Sequence, residues 1–107
     1  MPDVIFERQF RTPHSEGYYI FEDDSRVGRV DLHYASEVVY GTLILEREMP
    51  EDEISDLVEQ IDEELVMTAD VVRDDFQVTV YQGKELGFYS DEYFEGEEGE
   101  EEEEEGQ

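Results

Sequence analysis

Residues 37–65, EVVYGTLILEREMPEDEISDLVEQIDEEL, hold two kinds of periodicity in succession, and where one gives way to the other decides the fold. The run 38–45 is almost continuously apolar, broken only by Gly41 and Thr42, as expected of a central strand with both faces at least partly covered. Pro50 follows, a residue that suits the first helical position because its missing N–H has no partner there anyway, and Glu51, Asp52 and Glu53 then favour the positive end of a helix dipole. Ile54, Leu57, Val58, Ile61 and Leu65 recur at steps of three and four, which turns one stripe of a helix over about 50–66 towards a core.

On either side of this pair the chain reads as strands. Residues 4–10, VIFERQF, suit an edge strand with Val4, Phe6 and Phe10 on one side and Glu7 and Gln9 on the other, ended by Pro13. GYYIFE at 17–22 and VGRVDLHY at 27–34, separated by Asp23, Asp24 and Ser25, predict a hairpin. In its second arm Val30, Leu32 and Tyr34 point one way and Arg29, Asp31 and His33 the other. FQVTVYQ at 76–82 alternates again, and Gly83 with Lys84 predicts a turn into a last short strand, LGFY at 86–89.

One helix and five to six strands predict an α+β domain over 1–90, an antiparallel sheet with the helix on one face. A single helix cannot cover both faces. The second face, carrying Tyr18 or Tyr19, Arg29, His33, Thr42, Thr79 and Tyr81, is then solvated, curled into a partial barrel or buried in a homodimer.

Charge is the second strong feature. The 107 residues carry 33 acids and 7 bases, a net −26, and residues 91–107 hold 11 of those acids and no base, so the body alone stands at −15. A surface of that sign repels phosphate backbones and anionic lipid, which argues against direct nucleic-acid binding and against membrane docking, and favours a basic protein partner. The absence of cysteine removes disulfides and thiolate metal sites and makes the cytoplasm the expected compartment. The first ten residues show neither a signal peptide nor an apolar anchor. Residues 91–107 lack apolar periodicity and are expected to form a disordered acidic tail, with Tyr93 and Phe94 as its contact points.

No catalytic, phosphate-binding, calcium or zinc motif occurs, and no cofactor is implied. Glu22, Asp23, Asp24 and Ser25 read as a solvated turn. Arg29, Asp31 and His33 form the nearest approach to a chemical constellation, with His14 a further imidazole, although an ordinary ladder of strand charges explains the same residues. The helix is unusual in another way: Glu51, Asp52, Glu53, Asp56, Glu59, Asp62, Glu63 and Glu64 place eight acids and no base on its outer side. Glu51, Asp52, Asp56, Glu59, Asp62 and Glu63, with Tyr93 and Phe94 of the tail, are therefore the candidate interaction face of a non-enzymatic acidic module. A nucleic-acid mimic that fills the cleft of a DNA- or RNA-binding protein is the alternative, and a small ligand binder or enzyme using the open sheet face is a third.

Overall fold

A computed structural model describes residues 4–69 and 73–91. The elements run β1 (Ile5–Thr12), β2 (Ser15–Glu22), β3 (Ser25–Tyr34), β4 (Val38–Leu45), α1 (Glu51–Ile61) and β5 (Asp75–Gln82), with a π-helical turn at Asp62–Val66 and a 3-10 turn at Met67–Ala69 after α1. The five strands form one sheet in sequence order. It is mostly antiparallel, carries the single helix on one face and does not close into a barrel.

Short turns make β1 to β4 a meander. In the β2–β3 turn Asp23 takes φ 56°, a left-handed conformation that Asp tolerates better than most side chains because its carboxylate can bond the local backbone. The hairpin over 17–34 therefore forms as expected, extended by two residues at its start. The β4–β5 pairing is parallel, where an antiparallel sheet was expected throughout. A helical connection rises over the sheet and returns the chain to the end where β4 began, and that forces the next strand to run in the same direction.

Register sorts the side chains into two faces. Tyr18, Val30, Leu43 and Val80 lie in one row across the sheet, beside rows formed by Ile20, Gly28 and Leu45 and by Tyr34, Val39 and Phe76. These belong to the face that meets the helix, and Leu57, Ile61, Leu65 and Val66 join them in a single core. Leu57 and Ile61 are fully buried, which stabilises the helix–sheet contact by about 1.5–3 kcal/mol each. The expected stripe is borne out, with Ile54 and Val58 packed at its margin. In the π turn after Ile61 the adjacent Leu65 and Val66 are both buried, which extends the stripe to the end of the helical segment.

Pro50 stands one position earlier than expected, as the residue that precedes the first turn, and its carbonyl accepts the Ile54 N–H at 3.1 Å. The expected side-sharing of Phe6 and Phe10 is not observed. A bulge between Arg8 and Phe10 leaves Phe6 opposite Ile20 but sets Phe10 opposite Gly17, on the other face. The cause is the vacancy over Gly17, where a Cβ would come within 2.1 Å of the Phe10 ring. The ring fills the space a side chain would have taken. The strand expected at 86–89 does not form either: these residues lie outside the sheet, and Leu86, Phe88 and Tyr89 are exposed. No helix among the described residues is long and apolar enough to cross a membrane.

Candidate functional site

The outer side of α1 is built by the same periodicity that builds the core. Asp52, Asp56 and Glu59 follow one another at steps of four and three, which sets them on one ridge of α1 opposite Leu57 and Ile61, and Glu63 follows in the π-helical turn that continues the helix. All four are exposed, as are Glu51 and Glu64. The other two acids of the helix are drawn aside. Glu53 sits 3.7 Å from Arg47, and the half-buried Asp62 accepts a 2.8 Å hydrogen bond from Arg73. Of the candidate face, Glu51, Asp52, Asp56, Glu59 and Glu63 are exposed, and Asp62 is half-buried in an ion pair with Arg73. Tyr93 and Phe94, and the tail from Glu92 onward, lie outside the described residues.

All six arginines are committed to particular carboxylates. Arg8 and Arg11 approach Glu16, Arg26 pairs with Glu46 at 3.1 Å, Arg29 with Asp31 at 2.8 Å, Arg47 with Glu22 at 2.8 Å, and Arg73 with Asp62. None of these pairs falls on the α1 ridge. Like charges at i, i+4 there, Asp52 with Asp56 and Glu59 with Glu63, repel by about 0.2–0.5 kcal/mol per pair.

On the open face of the sheet Arg29 donates to Asp31 at 2.8 Å, a contact of the kind an ordinary charge ladder makes. His33 is exposed, with Ser15 and Tyr40 as its cross-strand neighbours. His14 contributes its carbonyl to the Tyr34 N–H at 2.7 Å. Among the described residues no group of three or more His, Asp or Glu side chains converges in a way that could hold a metal. What does assemble is a clasp around Tyr19: its hydroxyl donates to Glu85 at 3.0 Å, and the guanidinium of Arg26 lies 4.3 Å from its ring centroid. Residues after β5 are thereby drawn back over this part of the open face.

The most buried charge is one that periodicity did not single out. Glu16 is only 2% exposed, within the helix-facing core, and its two oxygens accept hydrogen bonds from the Tyr18 and Tyr34 hydroxyls at 2.5 Å each. Arg8 and Arg11, with side chains 54% and 45% exposed, reach it from the edge strand at 3.4 and 3.5 Å. Burial pushes the Glu16 carboxyl up, but the two phenols and the two guanidinium groups outweigh it and hold the group below the usual glutamate value. Burial and the adjacent carboxylate raise Tyr34 well above the ordinary tyrosine value. A carboxylate that stays ionised beside phenols that stay protonated has nothing to exchange at neutral pH, so the cluster is an anchor for β1, β2 and β3 rather than an acid–base pair. The signal was present in the sequence: carrying the β2 alternation back one step places Glu16 on the face of Tyr18 and Ile20. Comparison with protein-family models, with curated proteins and with solved structures finds no match to this chain.

Proposed function

We propose that the protein is a non-enzymatic acidic interaction module that binds a basic protein surface through the outer side of α1. The observation that carries this is the allocation of positive charge: every arginine is engaged by a carboxylate elsewhere, and Asp52, Glu59 and Glu63 stand exposed along the outer side of α1 and the turn that continues it. A partner bearing Lys or Arg at helical spacing would relieve the repulsion along the ridge and gain complementary contacts. Long-range attraction to the −26 chain would speed its capture. Cysteine-free composition suits the reducing cytoplasm.

The test is affinity capture from the native lysate on the immobilised full chain, with nuclease-treated lysate in parallel. A basic protein retained in both lysates and released by salt supports the proposal. Retention only while nucleic acid is intact, or no retained protein, refutes it. If the captured protein is a nucleic-acid binder that loses its nucleic acid to this chain, the relation is that of a mimic.

A further inference from the structure

The sheet has two edges, and they are guarded very differently. β1 carries Glu7, Arg8 and Arg11, a bulge at Gln9 and Pro13 at its end, the usual means of preventing another strand from adding on. β5 has none of these between Phe76 and Gln82. The two longest uncharged runs in the chain are 38–45 and 76–83; the first is β4, inside the sheet, and the second is the edge strand. In a protein of net charge −26, a neutral strip on an open edge is the place where a second copy can approach with least repulsion.

The backbone is oriented for it. The Gly83 N–H bonds inward to the Leu45 carbonyl at 2.8 Å, so strand alternation turns the N–H and C=O groups of Gln82, Val80, Val78 and Phe76 outward. The Phe76 N–H accordingly finds no strand partner and donates to the side chain of Asp75 at 2.9 Å. Among the described residues no strand pairs with this edge.

We propose that β5 pairs antiparallel with β5 of a second copy across a two-fold axis at Thr79, joining two sheets into one of ten strands. That register sets Val78 beside the partner copy's Val80 and Gln77 beside its Tyr81, covering two exposed side chains, Val80 at 37% and Tyr81 at 56%. It also brings Lys84, the sole lysine, opposite Asp74 of the other copy, and both are exposed. A two-fold axis makes that contact twice. Edge pairing buries little area, so the dimer is weak and strengthens as salt screens the remaining charge.

Because the chain has no cysteine, Thr79→Cys gives a clean report of register. Two residues facing each other on the axis in a non-hydrogen-bonded antiparallel pair have Cα atoms about 4.5 Å apart, within disulfide range. The full chain bearing Thr79→Cys is expected to form a covalent dimer under mild oxidation far faster than the same chain bearing Ser55→Cys on the exposed side of α1. Adding Lys84→Asp slows the crosslink several-fold, and Asp74→Lys together with Lys84→Asp restores it. Sedimentation of the cysteine-free chain should show a dimer fraction that grows with sodium chloride. Equal crosslinking at positions 79 and 55, no rescue by the charge swap, or a monomer at every salt concentration overturns the proposal.

Discussion

Glu16 and the acids of α1 show two opposite treatments of a carboxylate in one small molecule. Glu16 is withdrawn from water and given two phenols and two guanidinium groups; Asp52 and Glu59 are left in water on a ridge to which no arginine is directed. Six arginines among 33 acids cannot neutralise the surface, and they are not spread across it. They sit where a carboxylate is half or wholly buried and would otherwise cost several kcal/mol. The exposed acids of α1 are therefore surplus to the fold, and they are the charge that the proposed basic partner would meet.

The largest effect expected from breaking this contrast is at Glu16. Glu16→Ala leaves two buried hydroxyls without an acceptor and should cost about 3–5 kcal/mol in denaturant unfolding, a large part of the stability of a domain this size. Tyr34→Phe removes one hydrogen bond to a charged group and should cost about 1.5–3 kcal/mol. Tyr81→Phe, on an exposed ring, should stay within about 0.5 kcal/mol of the native chain. Equal losses at the two tyrosines would show that the Glu16 cluster is not an anchor.

The same cluster sets a direction in pH. Because the folded Glu16 lies below its ordinary value of 4.5, its contribution is fully present above that pH and is lost as pH falls through the lower folded value. Melting temperature should therefore drop on acidification below about 4.5, and the drop should be shallower in Glu16→Gln. At the alkaline end the raised Tyr34 means that the unfolded chain releases its phenolic proton first, so stability should decline as pH climbs past 10.

The smallest effect is expected on α1. Replacing Glu51, Asp52, Glu59 and Glu63 together by their amides relieves two like-charge pairs, about 0.2–0.5 kcal/mol each, but removes two acids from the positive end of the helix dipole, about 0.3–1 kcal/mol each, so the net change should be a loss of no more than about 1 kcal/mol. Thermal unfolding checks it. A loss of more than about 1 kcal/mol would mean that these acids hold the fold as Glu16 does.

Much of the fold was legible because burial imposes a period. Val30, Leu32 and Tyr34 against Arg29, Asp31 and His33 could only be a strand with one covered face, and Leu57, Ile61 and Leu65 could only be a helix stripe. What was not legible depends on contacts between elements distant in sequence. The turn of Phe10 to the other face follows from a space above Gly17 on the neighbouring strand, and a local pattern holds no record of it. Apolar alternation in Phe76, Val78 and Val80 is the same for a parallel as for an antiparallel strand, so direction had to come from the helical crossover. Among the site residues, the exposed ridge was readable from spacing alone, whereas the removal of Asp62 from it depends on Arg73, eleven residues away. Glu16 was hidden because a charged residue at a strand end ordinarily means solvent.

If location rather than total charge makes α1 the binding face, as proposed, one measurement separates the two. Full-length chains with Glu51, Asp52, Glu59 and Glu63 changed to amides are compared with chains in which the exposed Asp23, Asp24, Glu37 and Glu48 are changed instead, so that both lose the same charge. Their affinities for the basic protein captured by the native chain are measured at one salt concentration. The α1 variant should bind much more weakly than the native chain while the matched variant stays close to it; equal weakening in both would contradict the account.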